Sequence, residues 1–253
     1  MDEDARLLAI FLDVQRGLPR QGPGTGESTL KALALCQGLP KNPAVLDIGC
    51  GPGMQTMALA GALDGRITAV DIHAEYLEAL SARAEAAGVA DRVHVLSADM
   101  TALPIPPRSV DLIWAEGSAY IMGIDRALSD WRRFLRPGGF VAFSELVWLR
   151  PDPPAEAAAF FAEEYPAMTD IDTNVRMIRA GGYQPVGHFT LPDSAWWQHY
   201  YTPLEAKLPG LMETYAGDDE ALGVIEMTRR EIAMRRLGGH AYGYEFFVCR
   251  TVD

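Results

Sequence analysis

Four carboxylates stand where they could do chemistry. Asp47 precedes an alternating glycine run, Gly49-Cys50-Gly51-Pro52-Gly53, and Asp71, Asp99 and Glu116 each follow a later apolar stretch. Asp71 lies about 20 residues beyond Gly51, the spacing at which a strand-end acid accepts hydrogen bonds from ribose hydroxyls in a doubly wound fold. The glycines permit positive φ and close approach of a ligand to the backbone. A dinucleotide turn would read G-x-G-x-x-G and set a pyrophosphate on the next helix. Here the pattern is G-x-G-x-G, Met54 occupies the third glycine's place, and Asp47 would repel a pyrophosphate. A cationic or zwitterionic ligand fits the turn better. The competing reading of Asp71 is an N-cap for the helix that follows.

Those acids need strands that end at one edge of a sheet. Val45, Leu46 and Ile48 form the short apolar run of a strand buried on both faces, and the chain from Met54 to Ala62 reads as a helix. Strands are expected over Arg66–Asp71, Val93–Leu96 and Ser109–Gly117, separated by a helix from His73 to Ala87. Ile124, Ala127, Leu128, Trp131, Phe134 and Leu135 mark an amphipathic helix, which the turn Arg136-Pro137-Gly138-Gly139 should end before a fifth strand, Phe140–Glu145. Alternation of strand and helix predicts an α/β fold with a mostly parallel sheet.

Val45-Leu46-Asp47-Ile48-Gly49-Cys50-Gly51-Pro52-Gly53 resembles motif I of the class I S-adenosylmethionine-dependent methyltransferases. The resemblance implies a Rossmann-like, seven-stranded sheet whose last strand, here Tyr244–Arg250, runs antiparallel. It implies S-adenosylmethionine as cofactor and S-adenosylhomocysteine as product. Cofactor contacts are then expected from Asp47, Gly49, Gly51, Gly53, Gln55, Asp71, Ile72, Asp99, Met100 and Glu116, with Asp99 on the adenine amino group and Met100 beside the ring. The run Pro19-Arg20-Gln21-Gly22-Pro23-Gly24 is similar to one in a bacterial subgroup of unassigned substrate, which adds Gln21 and Gly22. Ala115-Glu116-Gly117 lacks the Asn-Pro-Pro-Tyr type sequence with which base and amide N-methyltransferases orient a planar nitrogen, so those acceptors rank low.

The flanks should cover this core. Leu7, Leu8, Ile10, Phe11 and Val14 recur at helical spacing, predicting a helix over about Asp4–Gln15, with a second from about Glu27 to Gln37. Pro151-Asp152-Pro153-Pro154 reads as a break; helix formers run from Ala155 to about Ile178, and Tyr183–Phe189 alternates like a strand. We expect one domain over 1–253: an N-terminal helical cap segment over 1–42, a cofactor-binding core over 43–150 and a substrate cap over 151–217. The aromatic stretch Ser194–Tyr201 would roof the acceptor. Tyr120, Glu145, Trp148, Trp196, Trp197 and His199 are candidate acceptor contacts, and Glu116, His199 and Tyr200 candidate proton acceptors. His199 could equally be a surface imidazole, and packing is the favoured role for Trp196 and Trp197.

Composition narrows the partners. With 34 Asp and Glu against 22 Lys and Arg, the net charge of −12 opposes a phosphate backbone, so nucleic acid is not expected. No apolar run approaches the roughly 20 residues of a bilayer span. The beginning, Met1-Asp2-Glu3-Asp4, is unlike a basic leader, and the three cysteines lack C-x-x-C spacing. A cytoplasmic enzyme acting on a small-molecule methyl acceptor, without metal or membrane, is the resulting expectation; the oligomeric state is left open, a homodimer among the options. A nicotinamide-dependent oxidoreductase and a non-catalytic S-adenosylmethionine-binding protein are the alternatives. Ser-His-Asp, P-loop and H-E-x-x-H patterns are absent.

Overall fold

The computed structural model describes residues 3–252; Met1 and Asp2, part of the expected non-leader beginning, lie outside the described residues. Two helices come first, α1 (Glu3–Gln15) and α2 (Gly26–Leu35), the second capped by the Thr25 hydroxyl, which accepts from the Ser28 amide at 3.1 Å. The central alternation follows: β1 (Ala44–Ile48), α3 (Met54–Ala62), β2 (Arg66–Asp71), α4 (Ala74–Ala86), β3 (Val93–Ser97), β4 (Val110–Glu116), α5 (Ile124–Trp131) and β5 (Leu135–Trp148). The remainder comprises α6 (Ala155–Glu164), β6 (Thr169–Asp170), α7 (Ile171–Ala180), β7 (Tyr183–Thr190), the short α8 (Ser194–Trp196), α9 (Thr202–Thr214), α10 (Asp219–Gly238) and β8 (Tyr242–Thr251).

The sheet order is β3-β2-β1-β4-β5-β8-β7, parallel from β3 through β5, with β8 antiparallel to both its neighbours. The expected seven-stranded Rossmann-like sheet is therefore present, with the two-residue β6 added beside the end of β5. Chain direction across the sheet reverses between β1 and β4, and at such a switch point the strand ends leave a crevice for a ligand.

Alternate residues of each central strand feed opposite faces. Leu46, Ile113, Val141 and Phe143 pack with Leu128 and Trp131 of α5 and Ile178 of α7. Val45, Ile67, Leu112, Trp114 and Phe246 pack on the other face with Leu59, Leu77 and Leu80. Full burial of each such side chain stabilises the fold by roughly 1.5–3 kcal/mol.

Three boundaries differ from the sequence reading. The strand β5 already begins at Leu135, because Leu135 pairs with Val110; Arg136–Gly139, expected as a turn, lies within it, and a register irregularity between Val110 and Leu112 accommodates the passage. The long helix expected over Ala155–Ile178 is split at Tyr165-Pro166, as a proline without an amide donor requires. The expected cap over 151–217 is interrupted, since α7 and β7 return to the sheet, and cap helices continue past 217 through α10.

The cap has its own core, in which Phe160, Phe161, Trp196, Tyr201, Leu204, Ile232 and Tyr242 meet Val14 and Leu18 of the N-terminal segment. Lys207 of α9 joins the two parts, donating to the carbonyls of Asp13 at 3.2 Å, Val14 at 2.8 Å and Arg16 at 2.5 Å. It thus caps carbonyls at and just beyond the end of α1. Arg6 forms ion pairs with Asp218 and Glu220 at the start of α10.

Candidate functional site

A cavity of about 490 Å³ opens at the switch point, with Gly49, Gly51, Asp71, Asp99, Glu116 and Tyr120 in its wall. The local fold explains its floor. Gly49 has φ +72° and a Cβ there would lie 2.4 Å from that of Ser118, whose hydroxyl donates to the Ile48 carbonyl at 2.6 Å. Gly53 caps α3 at φ +86°, and its Cβ would stand 2.3 Å from Leu80 Cδ1. Neither position accepts a side chain without displacing buried neighbours.

Asp71 lies at the tip of β2, where Oδ2 accepts from the Gly51 amide at 2.9 Å and Oδ1 from the His73 amide at 3.0 Å. Each oxygen keeps a lone pair for a hydroxyl donor. Ile72, 62% exposed, and Met100 offer flat apolar surface beside it. Asp99 accepts from the amide and hydroxyl of Thr101 through Oδ1, which lowers its pKa, so the exposed carboxylate is charged at neutral pH. Gln55 lines the wall but donates its side-chain amide to the Cys50 carbonyl at 2.8 Å, bracing the turn.

The loop between α1 and α2 roofs the glycine turn. Gln21 receives the Tyr76 hydroxyl at 2.8 Å and donates weakly to the Gln15 carbonyl at 3.3 Å, holding Gln21 and Gly22 against the cavity. Arg20, singled out by no sequence pattern, is with Pro23 an additional cavity residue of this loop. It is 5% exposed, donates through Nη2 to Glu116 Oε2, and its buried Nη1 has no partner. The one signal that marks it in the sequence is that it is the only cation of the run Pro19–Gly24.

Several expected roles do not match the positions found. Asp47 is fully buried and does not line the cavity; its Oδ2 accepts from Thr56 at 2.5 Å, Oδ1 has no partner, and burial pushes its pKa up to about 7. Glu116 reaches the cavity already engaged by Arg20, by Thr29 at 2.6 Å and by the Trp114 indole at 2.9 Å, which leaves it an anchor rather than a free base. Tyr200 stacks on Tyr201 inside the cap core, with ring centroids 4.8 Å apart. His199 does not line the cavity, and burial, then the charge of Arg20, lowers its pKa, so it is neutral at pH 7. Trp196 packs on Tyr201, Tyr242 and Tyr244 and beneath the Arg235 guanidinium; Trp197 donates to Asp193 at 3.0 Å. Packing, the role favoured for these two indoles over acceptor contact, is the one their surroundings fit.

The residues present fit the sulfonium ligand that motif I implies. A buried guanidinium nitrogen without a partner suits a carboxylate, Asp71 suits a diol, and the Asp99 carboxylate suits an exocyclic amine. Among the described residues no cluster of His, Cys, Asp and Glu could hold a metal, and no helix is long and apolar enough to cross a membrane.

Known proteins resemble this chain in sequence and in fold. A family model described as "Methyltransferase domain" matches residues 45–139. The 27-O-demethylrifamycin SV methyltransferase of Amycolatopsis mediterranei (strain S699) is 30% identical over 225 residues, covering 83% of this chain and 77% of that one. The O-methyltransferase cnsE of Penicillium expansum is 29% identical over 144 residues, 56% of this chain and 52% of its own length. Two crystal structures of S-adenosylmethionine-dependent methyltransferases in complex with S-adenosyl-L-homocysteine share the fold. The one from Geobacter sulfurreducens has a TM-score of 0.82 at 20% identity over 98% of both chains. The one from Thiobacillus denitrificans has 0.81 at 19% identity, over 100% of this chain and 99% of that one.

Proposed function

This chain belongs to the class I S-adenosylmethionine-dependent methyltransferase family, and we propose that it methylates a hydroxyl oxygen of a largely apolar small molecule. When bound, the cofactor supplies an activated methyl group, so the protein's work is to hold both partners in line and to exclude water. Asp71 receives the ribose hydroxyls, Asp99 the adenine amine, and Ile72 and Met100 flank the base. Arg20 Nη1 takes the methionine carboxylate, while Gln21, Gly22, Gly49 and Gly51 shape the wall around the tail. Asp47, Gly53 and Gln55 act from behind, by fixing the turn.

The observation that carries this reading is the pairing of a free buried guanidinium nitrogen with a strand-tip carboxylate in one cavity. Oxygen is favoured as the acceptor atom because no planar-nitrogen clamp follows β4 and because the two curated relatives above are named for O-methylation or an O-demethyl substrate. A cytoplasmic setting fits the three free, buried cysteines Cys36, Cys50 and Cys249. Calorimetry with S-adenosylhomocysteine tests the cofactor reading: binding that weakens at least tenfold in Asp71→Ala supports it, and no binding at millimolar ligand ends it.

A further inference from the structure

Four of the twelve large apolar side chains that stand open to solvent among the described residues, Phe11, Ile72, Tyr120 and Ile121, line the cavity at the switch point. Exposed hydrophobics scattered singly are ordinary, but several around one opening mark a binding surface. Ile72 flanks the base in the cofactor reading. Phe11, Leu12, Tyr120 and Ile121 line the same cavity and have no cofactor role.

Two elements hold them there. In α1 the apolar residues fall on two faces. Ile10 and Val14 are buried, whereas Leu8, Phe11 and Leu12, at i, i+3, i+4 spacing, form a second stripe, with Leu8 51% and Phe11 48% exposed. The short turn Ala119–Ile121 after β4 divides in the same way. Ala119 and Met122 are buried in the core that α5 shares, which leaves Tyr120 44% and Ile121 61% exposed. Ser118, just before this turn, donates to the Ile48 carbonyl at 2.6 Å and packs on Gly49. The wall that carries Tyr120 and Ile121 is therefore pinned to the glycine turn beneath the methyl donor, and the Tyr120 ring is steadied edge to face on Tyr165 at 5.7 Å.

The charges in the wall oppose an anion. Among the described residues of that wall Arg20 is the single Lys or Arg; one arm is taken by Glu116 and the other, in the cofactor reading, by the methionine carboxylate. Asp71 and Asp99 face the same space, and His73, on the Asp71 side, has its ring edge to face with Tyr76 at 5.4 Å. Arg16, one turn beyond Leu12, is paired with Asp13 and Glu75, and Arg126 of α5 with Asp130. A carboxylate or phosphate on the acceptor would lose its water here with no cation to replace it.

Resting on the cofactor reading above, we propose that the methyl acceptor is an uncharged apolar molecule that docks between Phe11 and Leu12 of α1 and Tyr120 and Ile121 after β4, and that these side chains select it. The donor takes the depth of the cavity between Arg20, Asp71 and Asp99. The acceptor completes it from the rim, covering apolar surface that is otherwise open to water. Phe11 and Tyr120 give it ring contacts, Leu12 and Ile121 aliphatic ones.

The probes are 1-naphthalenemethanol and 1-naphthoate, which share a ring system and differ in charge, titrated by calorimetry into the S-adenosylhomocysteine complex at pH 8. The alcohol should bind at least tenfold more tightly than the carboxylate. Phe11→Ala should weaken the alcohol about tenfold, and Ile121→Lys should reverse the preference, each with S-adenosylhomocysteine affinity within about threefold of the wild type. Should either variant fail to fold, crystals of the wild-type complex soaked with the alcohol decide: a naphthyl ring against Phe11 and Ile121 supports the proposal, and a ring bound elsewhere overturns it. An alcohol that does not bind, naphthoate that binds as tightly, or folded variants with wild-type affinity for both probes also overturn it while the cofactor reading stands. Failure of S-adenosylhomocysteine to bind overturns both.

Discussion

Arg20 donates one arm of its guanidinium to Glu116 and leaves the other, Nη1, buried and without a partner. One residue therefore neutralises an enclosed carboxylate and presents a donor to the cofactor cavity. Arg20→Ala should weaken S-adenosylhomocysteine about 10- to 100-fold by calorimetry, the worth of roughly 1.5–3 kcal/mol for a hydrogen bond to a charged group. It should also destabilise the fold by about 3–5 kcal/mol, since Glu116 is left as an unpaired buried charge. Adding Glu116→Gln should restore much of the stability, read by urea titration, and none of the affinity, read by calorimetry.

Asp99 offers a separable test of adenine recognition. Asp99→Ala should weaken S-adenosylhomocysteine by about tenfold yet leave S-inosylhomocysteine, which lacks the exocyclic amine, unchanged. Equal losses for the two ligands would show that Asp99 acts only by capping the turn at Thr101.

Gly53→Ala should cost the fold about 2 kcal/mol or more, combining a left-handed backbone with a Cβ driven into Leu80. The pair Gly53→Ala with Leu80→Ala should be less destabilising than the sum of the single changes, because the truncated Leu80 makes room for the new methyl. Additive losses in urea unfolding would place the cost in the backbone alone.

Asp47 supplies a pH signature. Its folded-state pKa is raised to about 7, so its contribution to stability is full below an unfolded value of about 4 and is lost as pH rises through 7. Asp47→Asn removes that slope. Between pH 5 and 8 the wild type should lose up to a few kcal/mol relative to the variant, measured as the difference between their urea midpoints at each pH.

The strand, turn and helix over Ala44–Ala62 were legible in the sequence because their signals are local: an apolar run, three glycines, then helix formers. Asp71 and Asp99 were legible as strand-end acids for the same reason. The start of β5 was not, since Leu135 joins the strand through a partner far away in sequence, Val110. The split at Pro166 had a local signal in the proline itself, which the surrounding run of helix formers outweighed. Aromatic density misled at Tyr200, a candidate proton acceptor that burial against other helices, a nonlocal property, makes core; Trp196, for which packing was favoured, lies in the same core. Arg20 lacked a pattern of its own; only the position of Glu116 on a distant strand tip gives it meaning.

Lys207 of α9 holds the segment that leads into the roof over the glycine turn, through the backbone carbonyls of Asp13, Val14 and Arg16. A change that loosens α9 should therefore also loosen the stretch that sets Arg20 and Gln21 against the cavity.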